Sequence, residues 1–383
     1  MSRTTRIAVL GAGRVGAAMA LDLAADPDLE VLVADRDGRA LAPLAARGIA
    51  TREADLGGPA LEEVIAGSDL VVGAVPGFLG FSTARRVLAA GRDLVDISFF
   101  PEDAFALDSL ARERGAMALV DCGVAPGLSN LLLGAMAARM DRVESFVCYV
   151  GGLPARPAPP WEYKAPFSPV DVLEEYTRPA RDVRGGQLVT EPALAGLEPR
   201  EFPDVGPLEA FLTDGLRSLL VTMPKIPEMR ELTLRYPGHV EKVKLLRDSG
   251  FLSSEPLEVG GTRVRPVDLA LRLLLPHWEF APGEEDLTVF EVIVEGMAGG
   301  VRSRRTFSFL DRHDRETGTL SMARTTGYTC TAVARLVARG LYRKPGVHPP
   351  EHLAAEPGCF DFVVAELAAR GIRLAEREEI LES

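Results

Sequence analysis

Gly11-Ala12-Gly13-Arg14-Val15-Gly16 has the residue types and spacing that hold a dinucleotide. In such a loop the first glycine permits a tight turn, the second lets pyrophosphate approach the backbone, and the third lets helix meet strand. The N–H groups at the helix start then bind phosphate oxygens. The loop follows the apolar run Ile7-Ala-Val-Leu10 and opens a helical pattern, which is the context this motif requires. Asp35 ends the next apolar run, 19 residues past Gly16, where a carboxylate accepts hydrogen bonds from the adenosine ribose. That carboxylate repels a 2′-phosphate, so the expected cofactor is NAD, with NADP second. Arg36 is the counter-feature, since a guanidinium there can hold the phosphate or cover the adenine face. Ligands of open α/β sheets lie at the carboxyl ends of strands, which nominates Asp55, Leu56, Ala74, Val75, Pro76, Ser98, Cys122 and Gly123 as further cofactor contacts.

The elements that must position these residues follow from periodicity. Ile7-Ala-Val-Leu10, Val31-Leu-Val-Ala34, Leu70-Val-Val-Gly-Ala-Val75, Leu94-Val-Asp-Ile97 and Ala118-Leu-Val120 read as buried parallel strands. Helical patterns at 15–25, 81–90 and 101–114 lie between them, the last with Pro101 at its first position. Alternation of this kind predicts an α/β fold with a Rossmann doubly wound parallel sheet. After Asn130 the texture changes. A helix at 130–140 leads to a strand at 145–150, the Pro-rich stretch 151–160, and alternating runs at 231–236, 289–295 and 305–310. Gly296-Met-Ala-Gly-Gly300 marks the last two as a hairpin. The expected division is a dinucleotide-binding domain of residues 1–128 and 321–383, completed by helices at about 329–339 and 360–370. Residues 129–320 form an α+β mixed or antiparallel-sheet substrate and dimerisation domain.

The 383 residues suffice for two domains of ordinary size, and the net charge of −12 without a Lys/Arg run disfavours nucleic-acid partners. Cys122, Cys148, Cys330 and Cys359 share no CxxC spacing, so reduced thiols in a cytoplasm are expected. No charged-then-apolar leader precedes the first strand, and the apolar stretch 117–140 is broken by Asp121 and Asn130, so no membrane association is expected. There is no GxSxG elbow or GxxxxGK[ST] loop. Pro349 and Pro350 separate His348 from His352, which speaks against a helical metal pair and places them in a solvated loop; no metal is expected. His277 and His313 read as loop residues.

Asp121-Cys-Gly-Val-Ala-Pro-Gly-Leu-Ser-Asn130 resembles the saccharopine dehydrogenase family, in the branch similar to lysine 6-dehydrogenase. Gly151-Gly-Leu-Pro154, Glu162-Tyr-Lys164, Glu175-Tyr-Thr-Arg-Pro-Ala180, Glu209-Ala-Phe-Leu-Thr-Asp-Gly-Leu216, Thr233-Leu-Arg-Tyr-Pro-Gly-His239 and Met322-Ala-Arg-Thr-Thr-Gly327 match as well. The resemblance implies hydride transfer at a carbon bearing nitrogen, an amino-acid substrate and a homodimer. Saccharopine-reducing members carry an acid before the Pro-Gly of the first stretch, and Ala125 stands there instead. NADP-using reductases of the family tend to have an uncharged residue at the place of Asp35. Both departures point to the lysine-dehydrogenating branch. The alternatives are a saccharopine- or carboxynorspermidine-type reductase and a non-catalytic dinucleotide-binding protein.

Oxidising an amine requires that nitrogen lose its proton, that the carbon lie against the nicotinamide, and that water reach the imine. A lysine amine has a pKa near 10.4, so a base or a dry pocket must lower it. Four residues of the second domain are candidates. Ser168-Pro-Val-Asp171 is a capping box, so residues 170–177 should be a helix with Arg178 at its end, placed either to clamp a carboxylate or to offset the dipole. Lys164 follows the Pro-rich stretch and can bind carboxylate or act as a desolvated base. Asp214, with Thr213, can receive an ammonium group. His239 is a candidate proton relay.

Overall fold

Short apolar runs with turn residues at both ends become buried strands when the sheet is parallel, and that is how the first third of the chain folds. In the computed structural model, which describes residues 4–382, the strands of this region are β1 (Thr5–Leu10), β2 (Leu29–Asp35), β3 (Ala50–Glu53), β4 (Leu70–Gly73), β5 (Asp93–Asp96) and β6 (Met117–Leu119), of which only the edge strand β3 is polar and partly exposed. They pair in parallel in the order β3-β2-β1-β4-β5-β6, and Gly346–His348 adds a seventh parallel strand beside β6. Strand order reverses between β1 and β4, which opens the ligand crevice at their carboxyl ends.

Three expectations for this region are corrected. His348 lies on the buried seventh strand, not in a solvated loop, with its Nε2 3.0 Å from the Lys344 carbonyl. Flanking prolines hide so short a strand from any periodicity argument. The pattern at 101–114 is not one helix: the Asp103 carboxylate accepts the Phe105 N–H at 2.9 Å and starts a 3₁₀ turn, Ala104–Leu107, which passes into the helix Asp108–Glu113. The helix expected at 329–339 runs over Ser321–Ala338, because Asp286 accepts the Ser321 and Met322 N–H groups and caps it eight residues earlier.

The chain divides into two units. The first extends to Arg139 and resumes over Ala323–Leu374; the second covers Met140–Met322 and everything described from Ala375 on. Against the expected division at 128 and 321, the helix Leu128–Arg139 belongs to the first unit. The strand Ala375–Ile380 leaves it, pairing antiparallel with Val301–Arg312 at the edge of the second sheet. That sheet has nine strands and is mixed. Glu228–Arg235 runs parallel to Arg142–Pro154, and the hairpin Asp286–Ala298/Val301–Arg312 packs antiparallel beside it. The hairpin turns on Gly299 and Gly300, both at positive φ as a tight two-residue turn demands. Three helices, Pro169–Thr177, His239–Asp248 and Pro266–Trp278, share a buried cluster with Phe211 of the sheet.

Candidate active site

The three glycines of the loop differ in what surrounds them. Gly11 sits at φ +107, and a Cβ there would meet the Ala74 carbonyl oxygen at 2.5 Å. A Cβ on Gly16 would lie 2.2 Å from the Gly11 carbonyl oxygen, so this position is held open for backbone packing. Gly13 has nothing within 4 Å of its would-be Cβ. It is the N-cap of the helix Arg14–Ala24 and brings no side chain to the helix start. A helix N-terminus beside open space fits a pyrophosphate. Asp35 ends β2 and is held from two sides: Oδ2 accepts the Ala12 N–H at 2.7 Å and Oδ1 the Asp37 N–H at 2.9 Å. A carboxylate so fixed at a strand end can accept hydrogen bonds from ribose hydroxyls. Arg36 is exposed beside it.

The other strand-end residues separate by environment. Ala74, Val75 and Pro76 follow β4 against the glycine loop, with Val75 buried. Ser98 follows β5 and is buried, its hydroxyl donating to Asp96 at 3.0 Å. Cys122 follows β6 and is buried, and burial pushes its thiol pKa well up, so it is no thiolate nucleophile. Gly123 lies in a turn closed by Gly127, whose φ of +140 and close approach to the Gly123 backbone admit only glycine. Asn130 fastens this turn, its Oδ1 accepting from the Gly127 N–H and the Ser129 hydroxyl. Asp55 is exposed and accepts the Gly57 N–H at 3.0 Å, a turn-forming role, while Leu56 points into the core of the unit.

In the second unit the four nominated residues have separate partners. Lys164 Nζ donates to the Glu279 carbonyl at 3.0 Å and to Glu284 at 2.5 Å. Arg178 is at the C-cap of Pro169–Thr177 and donates to Glu174 at 3.2 Å. Asp214 is buried and gripped at both oxygens by Arg181, at 2.7 and 2.9 Å. That pairing uses the charge that an ammonium group would need. His239 is wholly buried between the Tyr176 hydroxyl, 2.9 Å from Nε2, and the Trp161 carbonyl, 2.8 Å from Nδ1; burial lowers its pKa to about 3.

A buried polar row escaped the residue-by-residue reading. Glu231, Thr233 and Arg235 alternate along Glu228–Arg235, so they share one face of the sheet, while Leu232 and Leu234 fill the core on the other. Arg235 lies over the Tyr163 ring at 4.5 Å, donates to the Tyr176 hydroxyl at 2.9 Å, and pairs with Glu175 at 2.5 Å. Glu231 accepts from the Thr213 hydroxyl at 2.5 Å, and burial pushes its pKa up to about 8. The period-two polarity of residues 231–235 was the available signal. Among the described residues no three His, Cys, Asp or Glu side chains come together as a metal site requires, and no helix is long and apolar enough to cross a membrane.

Comparison with known proteins gives a consistent result. The family model described as the saccharopine dehydrogenase NADP binding domain matches residues 7–119, and that of the saccharopine dehydrogenase C-terminal domain matches 123–372. A Saccharomyces cerevisiae saccharopine dehydrogenase [NADP(+), L-glutamate-forming] is 28% identical over 271 residues, 66% of this chain and 60% of that protein. A Bos taurus mitochondrial alpha-aminoadipic semialdehyde synthase is 26% identical over 219 residues, which span 51% of this chain and 23% of the relative. The solved apo saccharopine dehydrogenase (L-Glu forming) from Saccharomyces cerevisiae superposes with a TM-score of 0.79 over 98% of this chain and 100% of that one, at 22% identity, and so shares the fold.

Proposed function

The chain belongs to the saccharopine dehydrogenase family, and on that premise we propose that it is an NAD-dependent amino-acid dehydrogenase that oxidatively deaminates a primary amine, with L-lysine at its 6-amino group as the favoured substrate. The observation that carries this reading is the turn at residues 121–130, where Ala125 occupies the place of the acid that saccharopine-reducing members carry before Pro-Gly. Without that carboxylate, Val124, Ala125 and Pro126 bring only apolar side chains and backbone to the turn. When bound, the dinucleotide supplies the hydride acceptor. The chain's own part is to hold it at Gly11, Gly13 and Gly16, to orient its ribose at Asp35, and to bind the far end of the substrate. Lys164 and Arg178 are the candidates for the α-carboxylate, which a cation with hydrogen-bond donors recognises. The amine loses hydride from carbon and a proton from nitrogen to give an imine, and water converts this to an aldehyde and ammonia. Asp35 supports NAD against NADP, because its carboxylate, fixed by two backbone N–H groups, would repel a 2′-phosphate.

The named relatives favour a second reading, a saccharopine-type NADP-dependent reductase that joins an amino acid to an aldehyde. NADH or NADPH formation from a panel of amino acids and opines separates the two. Turnover of lysine with NAD supports the first reading; turnover of saccharopine with NADP, and none of lysine, overturns it.

A further inference from the structure

Residues 161–164 are fastened at every position. The Trp161 carbonyl faces His239 Nδ1 at 2.8 Å. Glu162 adopts φ 52, a left-handed conformation rare for a non-glycine residue, and its carboxylate pairs with Lys242. Tyr163 is fully buried, with its ring 4.7 Å from that of His239 and 5.5 Å from that of Trp278. Lys164 is held by Glu284 and the Glu279 carbonyl. His239 touches two of these four residues from a different element, the helix His239–Asp248.

The hydrogen bonds around His239 have one consistent direction. A peptide carbonyl only accepts, so Nδ1 carries the hydrogen toward Trp161. Arg235 Nε only donates, so Tyr176 accepts at its oxygen and gives its own hydrogen to His239 Nε2. The imidazole is therefore neutral and satisfied at both nitrogens, in accord with its depressed pKa. The chain Arg235, Tyr176, His239, Trp161 ends on a peptide carbonyl, which takes no proton at neutral pH. This geometry does not suit a proton relay.

We propose that His239 is a positioning residue: it tethers the backbone of residues 161–164 so that Lys164 keeps its place as a carboxylate-binding group for the amino-acid substrate. The inference rests on the reading of Lys164 given above. Two substitutions split the histidine in half. His239→Asn can keep a donor near the Nδ1 position and loses Tyr176, whereas His239→Gln can reach the Nε2 position and loses Trp161.

The expected result is that His239→Gln raises the KM for the amino acid about tenfold, the scale of one lost hydrogen bond. Its kcat and NAD affinity change little, and His239→Asn stays near wild type. The pH profile of kcat/KM keeps its shape in both variants, since no ionisation of His239 is involved. Hydrogen exchange at the Tyr163 and Lys164 amides speeds up in His239→Gln and not in His239→Asn. Unchanged exchange in His239→Gln overturns the tether whatever Lys164 does, and loss of a limb from the pH profile overturns it in favour of a relay. If Lys164→Ala is kinetically wild type while His239→Gln still loosens the segment, the reading of Lys164 is the part that fails.

Discussion

Asp35, proposed to read the ribose, also braces the glycine loop, because one of the two backbone N–H groups it accepts belongs to Ala12. Asp35→Ala should therefore weaken NAD binding and narrow its advantage over NADP by about 1–3 kcal/mol, the cost of a lost charge-assisted hydrogen bond. Calorimetric titration of both dinucleotides measures this, and wild-type affinity for NADP at or above that for NAD would refute it. At Arg178, replacement by lysine should harm substrate binding nearly as much as replacement by alanine, since an ammonium cannot reproduce a planar fork. Lys164→Ala should raise KM if the amine binds carboxylate, or lower kcat with less change in KM if it is a base. Glu231 carries a pH prediction. It keeps its proton up to about pH 8 in the folded protein, against an ordinary value near 4.5. The folded state thus holds the extra proton between those limits, and its stability falls as pH rises through that window. Glu231→Gln should remove a slope worth a few kcal/mol, seen in urea unfolding at several pH values; parallel curves for the two proteins would show that Glu231 titrates normally.

At the scale of elements, β1, the glycine loop, the helix Arg14–Ala24 and β2 were legible because each step has a local cause: an apolar run, a glycine spacing, an acid at a strand end. Their geometry predicts a contrast between two glycines. Gly16→Ala should lower the melting temperature, since its methyl would overlap the Gly11 carbonyl oxygen. Gly13→Ala should fold normally, with open space around it and φ −64, yet bind dinucleotide more weakly because the methyl occupies the approach to the helix start. Equal melting losses in both would contradict these roles. The strand Glu228–Arg235 was seen as an alternating run, but the burial of its polar face was not. Alternation distinguishes two faces without saying which is wet, and here helices cover the polar one. Arg235→Met should leave the partly buried Glu175 without its partner and cost up to about 3–5 kcal/mol.

For the whole molecule, the alternation of strands and helices was enough to give the parallel sheet and to separate it from a mixed one. The ends of the chain were the illegible part. Gly346–His348 is three residues long, and Ala375–Ile380 is an exposed, charge-rich strand whose partner, Val301–Arg312, is distant in sequence. No local pattern can name such partners. Within the second unit, the individual charges Lys164, Arg178 and Asp214 were visible, but their neutralisation by Glu284, Glu174 and Arg181 was not, because each pairing depends on the fold or on rotamer choice. The central claim concerns the fate of nitrogen. Ammonia and NADH should be measured together as the protein turns over lysine at several pH values. The account predicts one ammonia per NADH, with no requirement for glutamate or 2-oxoglutarate, and a rate that rises toward alkaline pH as the amine sheds its proton. Reduced dinucleotide formed without ammonia, or only when glutamate or 2-oxoglutarate is supplied, would contradict it.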